Sequence, residues 1–146
     1  MKYNKDNYKN VVDEFTPKNN MFKNCVMAFI FGGAICLIGE IINDSFVAWL
    51  GISDEEASPM TAVVLIGMSA LLTGLGWYDK LGKIGGAGTV VPITGFANSV
   101  VSPALEFKRE GFILGTAANI FKLAGPVLIF GYFSSFIAGL LSMAFK

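Results

Sequence analysis

The sequence predicts an all-α integral membrane protein: a small helical bundle with about three full transmembrane helices plus one or two broken or re-entrant elements. Apolar residues make up 53% of the 146 residues, and charged residues only 15%. Soluble domains carry about 25% charged residues, so too few polar side chains remain to cover a surface in water. The chain also contains several apolar segments of about 20 residues, the length that a transmembrane helix requires.

The charges are sorted along the chain, and this sorting predicts the orientation in the membrane. Residues 1–24 form a polar segment with five lysines, whereas residues 43–59 carry four acidic residues and no basic one. Because basic residues flank cytoplasmic ends, the N-terminal segment is predicted to be cytoplasmic and the acidic loop to face outward. No small-residue cleavage site follows the first apolar run, so a retained anchor is expected rather than a signal peptide.

Residues 25–146 are expected to form a single transmembrane domain that opens with a helical hairpin. The first span is predicted over residues 25–42 and the second over residues 60–78. Both are close to the roughly 20 residues that cross the hydrocarbon core. Trp77 and Tyr78 fit an interfacial aromatic belt, and residues 49–51 are expected to lie along the outer interface as a short turn of helix.

Residues 84–105 differ in kind from the hairpin. They carry no charge, yet they contain four glycines, two prolines and Asn98. Irregular backbone at membrane depth is tolerated only where protein or a water-filled cavity satisfies its free N–H and C=O groups. The segment is therefore predicted to be a broken or re-entrant element. The basic residues that flank it predict that it enters and leaves on the cytoplasmic side.

The last apolar run, from Gly111 onward, is too long for one span. Gly125-Pro126 divides it, and a proline inside a helix removes a hydrogen bond and clashes with the preceding turn. The sequence therefore predicts a half-helix over residues 111–124 and a span over residues 126–145. Two topologies stay open: one long interrupted crossing, or a second re-entrant arm followed by the last span. Four full spans are the alternative to three.

The candidates for a solute path are glycines, a proline, hydroxyls, amides and a cation around the predicted breaks. Glycine lets backbone approach a solute, and half-helix ends with side-chain amides can hold one at membrane depth. The alternative is that the glycines form a flexible bend between membrane elements, but the adjacent Pro92, Thr94 and Asn98 favour backbone that lies close to a solute. The path candidates are Gly86, Gly88, Pro92, Thr94, Asn98, Ser99, Asn119 and Lys122.

Two ionisable residues lie deep in apolar runs, where each costs a few kcal/mol unless it meets water or a partner. Lys122 stands just before Gly125-Pro126, which favours a cation on a cavity wall over simple snorkelling to the interface. Glu40 has two equal interpretations, as a functional carboxylate or as a side chain that reaches the outer interface. Its role is left open.

Mixed charges bracket the predicted broken element. Most such clusters are solvated residues at the membrane interface, and their ion pairs contribute about 1 kcal/mol or less. A gate, or a docking surface for a cytoplasmic partner, is the functional alternative. The candidates for that role are Asp79, Lys80, Glu106, Lys108 and Arg109.

Several function classes are disfavoured. The chain has no histidine, which excludes a Ser-His dyad, and no His/Cys/Asp grouping has metal-ligand spacing. No catalytic residue, metal site or cofactor is therefore predicted. Nucleic acid is not an expected partner, because basic residues do not cluster with exposed aromatics. A non-conducting membrane scaffold remains the main rival to a solute path, and an intramembrane enzyme comes third.

Four stretches of the chain form a specific pattern: residues 23–25 (KNC), 31–39 (FGGAICLIG), 72–80 (LTGLGWYDK) and 86–99 (GAGTVVPITGFANS). Residues 102–106 (SPALE) and 122–126 (KLAGP) follow them. With these stretches the chain resembles the SpoVA family of spore-forming bacteria over about residues 23–135. At the Glu40 position the family pattern more often has an amide, so a role for that charge shared across the family is disfavoured.

The resemblance implies a function that the residues alone do not. It implies a subunit of the channel that moves dipicolinic acid, chelated with calcium, into the forespore during sporulation and out of the spore at germination. The implied location is the inner membrane of the spore. The implied partners are a membrane subunit of the AE type and the soluble AD-type protein that binds dipicolinate.

Overall fold

The computed structural model describes Tyr8, Val12 and residues 20–145, and within these residues it contains helices and no strand. Most of the predicted cytoplasmic segment, residues 1–24, lies outside the described residues. The described elements are α1 (Met21–Leu50), α2 (Asp54–Gly74), α3 (Tyr78–Gly85), α4 (Ala87–Val90), α5 (Ile93–Glu106), a 3₁₀ turn (Phe107–Glu110), a π-helical segment (Phe112–Ala117) and α6 (Ala118–Ala144).

Helix α1 is longer than the span predicted over residues 25–42. It begins after Asn20, whose side chain accepts a hydrogen bond from the Lys23 backbone at 3.3 Å, and it continues to Leu50. The polar residues at 43–45 stay helical, and α1 ends only at Gly51, whose φ of +64° is the left-handed conformation that terminates helices. The predicted outer loop over residues 43–59 and the interfacial turn at residues 49–51 are therefore wrong. At 1.5 Å per residue, α1 is about 45 Å long and exceeds the roughly 30 Å hydrocarbon core.

A three-residue turn joins α1 to α2. Ser53 begins α2 with a capping box, in which its backbone N–H donates to Glu56 Oε2 at 3.2 Å. Asp54, Glu55 and Glu56 occupy the first turn of α2, where carboxylates stabilise the positive end of the helix dipole. The acidic residues thus belong mainly to a helix N-terminus rather than to a loop. Helix α2 ends at Gly74, before the Gly76 turn at φ +69°.

The α1–α2 hairpin packs through small and polar residues, as helices in lipid commonly do. Gly39 of α1 faces Leu65 of α2, where a β-carbon on the glycine would lie 3.4 Å from Leu65 Cδ1. Asn43 accepts a hydrogen bond from the Thr61 hydroxyl and donates one to Asp54, both at 3.3 Å. Small and polar residues spaced by four or eight positions form the packed face of α2: Ala57, Thr61, Ser69 and Thr73.

The broken element predicted over residues 84–105 is interrupted twice in the structure, and it begins inside α3, so residues 78–106 form one unit. Gly86, at φ +51°, separates α3 from α4, and Pro92 separates α4 from α5. Helix α4 lies against α1, with Gly88 beside Ala28 and Gly32. Helix α5 runs parallel to α2, since Ser69 contacts residue 94 and Thr73 contacts residue 98. The chain therefore passes up beside α1, reverses at Pro92 and returns to the face where α1 begins and α2 ends, here called the N-terminal face.

The predicted break at Gly125-Pro126 is wrong, because α6 runs through it as one helix from Ala118 to Ala144. Proline removes one helical hydrogen bond, and a transmembrane helix can absorb that loss by local adjustment. The irregular backbone lies earlier, in the π-helical segment Phe112–Ala117. Residues 112–144 thus form one continuous helical run, which agrees with the first of the two topologies left open rather than with a half-helix followed by a separate span.

Helix α6 runs antiparallel to α5, with Gly115 against the Phe107 carbonyl and Lys122 near Asn98. It packs on α5 only in its first half, and every described residue from Pro126 onward is exposed in the isolated chain. Within the described residues, three helices are long and apolar enough to cross a membrane: α1, α2 and residues 112–144. The predicted fold class, three spans plus a broken element, is confirmed.

Candidate functional site

A crevice with polar side chains on its wall surrounds the middle of α5. It has two lobes, one of about 410 Å³ between α3 and α5 and one of about 440 Å³ between α5 and α6. Both volumes fall within the range of roughly 300–1,000 Å³ that is typical of small-molecule sites. The first lobe has Asp79 and Lys83 on its wall, the second has Glu106, Asn119 and Lys122, and Asn98 and Ser99 belong to both.

The second lobe contains a lysine held in place by an amide. Lys122 Nζ donates to Asn119 Oδ1 at 2.8 Å, and Asn119 Nδ2 donates to the Gly115 carbonyl at 2.8 Å. The chain of bonds fixes the amide with its oxygen toward the ammonium group. Glu106 lines the same lobe, so a cation, a carboxylate and an amide share this space. The ammonium group can attract a carboxylate, and carboxylate and amide oxygens are the ligand types that calcium prefers.

Asn98 is anchored to α2 across the helix interface. The Thr73 hydroxyl lies 2.8 Å from Asn98 Oδ1 and 2.7 Å from the Ser69 carbonyl, so it is shared between two acceptors. The N–H groups of the Asn98 amide make no hydrogen bond with any described residue. Because a carboxamide has two N–H donors, Asn98 can offer them to an anion in the crevice.

A buried hydroxyl network supports the wall of the crevice. The Tyr78 hydroxyl lies 2.8 Å from the Thr89 carbonyl and 2.9 Å from Thr94 Oγ1, and Ser69 donates to the Thr94 carbonyl at 2.5 Å. These bonds satisfy carbonyls on both sides of the Pro92 break, which lipid could not do. Tyr78 is only 5% exposed, so its predicted place in an interfacial belt is wrong.

Replacing Tyr78 by phenylalanine is expected to lower the free energy of unfolding by about 1–3 kcal/mol, because the change leaves a buried carbonyl without its donor. The measurement is thermal unfolding of the purified protein in detergent. Tyr132→Phe removes the same hydroxyl from a side chain that is 76% exposed, and it should leave the midpoint unchanged. Equal midpoints for the two variants would contradict a role for the network.

The predicted path residues separate into two groups. Asn98, Ser99, Asn119 and Lys122 line the crevice. Thr94 belongs to the hydroxyl network, and the other three shape the broken element without lining the crevice. Those three are Gly86 at the α3–α4 turn, Gly88 packed against α1 and Pro92 at the α4–α5 turn.

The predicted gate residues are divided in the same way. Asp79 lines the first lobe and Glu106 the second, while the remaining three are exposed outside both lobes, namely Lys80, Lys108 and Arg109. Glu40 is exposed on α1, away from the crevice.

Three residues at or behind the wall of the crevice are not among the predicted site residues. Lys83 lines the first lobe, whereas Ser69 and Thr73 lie behind the wall and bond to Thr94 and Asn98. Ser69 and Thr73 could have been predicted from their spacing, because residues four apart lie on the same face of a helix and small polar residues favour helix packing in lipid. Nothing in the sequence marks Lys83, since its role depends on how α3 packs beside α5.

The described residues contain no group of three or more His, Cys, Asp or Glu side chains that could hold a metal ion. Three membrane-crossing helices and a broken element with a polar crevice define the class: an all-α membrane protein that presents a solute-sized polar surface. The chain belongs to a family described as SpoVAC/SpoVAEB sporulation membrane protein, whose model matches residues 24–141.

The chain is also similar to a curated relative, stage V sporulation protein AC of Bacillus subtilis (strain 168). The two are 47% identical over 142 residues, which cover 97% of this chain and 95% of the relative. No solved structure matches the chain. The resemblance found in the sequence is therefore confirmed. The family is one of sporulation membrane proteins and is not a known enzyme family.

Proposed function

We propose that this protein is a membrane subunit of the channel that carries dipicolinic acid, as its calcium chelate, into the forespore during sporulation and out of the spore at germination. The observation that supports it best is the crevice, where Asn98, Asn119 and Lys122 line one concave surface. A purely structural anchor has no need of a lysine and two amides on one concave surface.

The chemistry of the crevice suits a chelated aromatic dicarboxylate. Dipicolinate is a planar dianion, and the Lys122 ammonium with the free N–H groups of Asn98 can bind carboxylate oxygens. Calcium prefers oxygen ligands, and Glu106 offers a carboxylate in the same lobe. Both signs of charge are thus available to a solute that carries both.

The proposed setting is the inner membrane of the forespore, with the N-terminus in the cytoplasm. Five lysines among residues 1–24 favour that orientation. Three crossings would then place Ala144 on the opposite side. The proposed partners are the AE-type membrane subunit and the soluble AD-type protein, since one chain with three spans cannot enclose a pore.

Asn98→Leu and Lys122→Met are each expected to lower the dipicolinate content of spores and its rate of release by about tenfold. Loss of one charge-assisted bond, worth about 1.4 kcal/mol, corresponds to that factor. Dipicolinate is measured by terbium fluorescence, and the amount of protein in the membrane is checked by immunoblot. Lys23→Met makes the same change outside the crevice and should behave as wild type. Wild-type accumulation and release in both crevice variants would refute the proposal.

A non-conducting scaffold for the assembly is the second candidate. It is favoured by α6, which from Pro126 onward is exposed and has small residues such as Gly131 and Gly139 available for helix docking. Flux of dipicolinate across vesicles that contain the reconstituted assembly separates the candidates. A scaffold predicts equal flux with and without this subunit once the other subunits are assembled.

A further inference from the structure

Lys83 lines the first lobe without a direct partner among the described residues. It lies on the wall of the first lobe, it is exposed, and it makes no hydrogen bond or ion pair with any described residue. Lys122, by contrast, is held by Asn119. An ammonium group that is free of partners and faces a cavity is available to an anionic solute.

The first lobe has the other features of a carboxylate site. Its volume of about 410 Å³ is close to that of the second lobe, and it shares Asn98 and Ser99 with it. The amide donors of Asn98 are therefore available to a solute in either lobe. Asp79 stands four residues before Lys83 on the same helix wall, and its negative charge weakens the attraction of the lobe for an anion. A channel requires such moderate binding, because a solute that binds tightly cannot leave.

We infer that the first lobe is a second binding station for small aromatic dicarboxylates, with Lys83 as its cation, and that the solute passes between the two stations beside Asn98 and Ser99. This inference rests on the proposed function and adds to it a second station and a specificity-determining residue. The crevice then has two stations in series, each with one lysine and one carboxylate: Lys83 with Asp79, and Lys122 with Glu106.

The chain contains a natural reporter for the first station. Trp77 is 57% exposed and directly precedes the α3 residues that line the first lobe, whereas Trp49 lies at the far end of α1. A Trp49→Phe protein therefore has a single tryptophan, placed beside the first lobe. Its fluorescence, excited at the red edge of the tryptophan band, reports solutes that bind there.

The experiment titrates full-length Trp49→Phe protein in lipid nanodiscs with pyridine-2,6-dicarboxylate. Adding Lys83→Met is expected to raise the Kd reported by Trp77 about tenfold, and Lys83→Arg, which keeps the charge, should restore most of the affinity. Asp79→Asn is expected to lower the Kd about threefold. Lys122→Met, which acts on the other lobe, and the control Lys23→Met should each leave it within about twofold.

Three results would overturn the inference: no response of Trp77 to the dicarboxylate, an unchanged Kd in Lys83→Met, or loss of the Trp77 signal in Lys122→Met. The last would mean one station rather than two. Vesicle flux tests the proposed function separately. Binding at Trp77 without flux through the assembly would refute the channel and leave the station, whereas flux with no Lys83-dependent binding would refute the station and leave the channel.

Discussion

Replacing Gly88 by alanine is expected to prevent the broken element from packing on α1. A β-carbon at Gly88 would overlap the carbonyl oxygen of Ala28 and lie 2.7 Å from its carbonyl carbon. Both contacts are with helical backbone, which cannot rotate away as a side chain can. Overpacking of this kind costs about 3 kcal/mol or more, a large fraction of the stability of a small domain.

The matched control for Gly88→Ala is Gly33→Ala. Gly33 lies on α1, and a β-carbon there would meet nothing within 4 Å. Alanine is favoured over glycine inside a helix by about 0.5–1 kcal/mol, so this variant should be slightly more stable than wild type. The measurements are the yield of monodisperse protein on gel filtration and the midpoint of thermal unfolding. A Gly88→Ala protein with wild-type yield and midpoint would show that α4 does not lie against α1.

The contrast between these two glycines shows how far the sequence alone could predict the fold. Membrane residence, three crossings and an interruption near Gly86 and Pro92 follow from hydropathy and from residues whose effect on the backbone is local. That Gly88 is packed and Gly33 is open depends on which helix lies opposite. Such information is not contained in the local pattern of glycines.

The sequence-based errors have a common physical origin. Asn43 and Asp44 were predicted to lie in a loop because they are polar, yet no helix terminator precedes Gly51, and the Asn43 side chain is satisfied by α2. Pro126 was expected to break a helix, although the loss of one hydrogen bond is small beside the many that continue α6. A polar residue or a proline inside a helix costs free energy. The helix ends there only if that cost exceeds the stabilisation gained by continuing the helix.

The site residues that could be predicted are those whose polar side chains interrupt apolar runs. Residues that reach the site only through helix packing could not be predicted. Asn98, Asn119 and Lys122 stood out as polar groups in apolar runs, and all three line the crevice. Lys83 and Tyr78 follow the C-terminal end of α2, in a short stretch that also holds Asp79 and Lys80, and an interfacial role is the simplest expectation for such a stretch. The chain reverses there and carries α3 back beside α5, so Lys83 faces a lobe and Tyr78 is buried.

Lys122→Glu is expected to have the largest effect on transport. Among the described residues that line the second lobe, the substitution removes the one lysine and adds a second carboxylate to that of Glu106. A dicarboxylate entering the lobe then loses a charge-assisted bond and meets a further negative charge. These two effects, each of about 1.4 kcal/mol, lower the flux of dipicolinate about a hundredfold. The measurements are terbium fluorescence of spore dipicolinate and flux across vesicles that contain the assembled subunits.

The charge swap separates a solute path from a scaffold. Combining Lys122→Glu with Glu106→Lys restores one cation and one carboxylate to the lobe, so the double variant should recover a large part of the flux. Neither single nor double change should alter the amount of protein that co-purifies with its partners, because the side chains line an open lobe rather than a packed helix face. A scaffold predicts the reverse, with assembly lost and no rescue by the swap. Restored flux at constant assembly would identify the second lobe as part of the path that the solute takes.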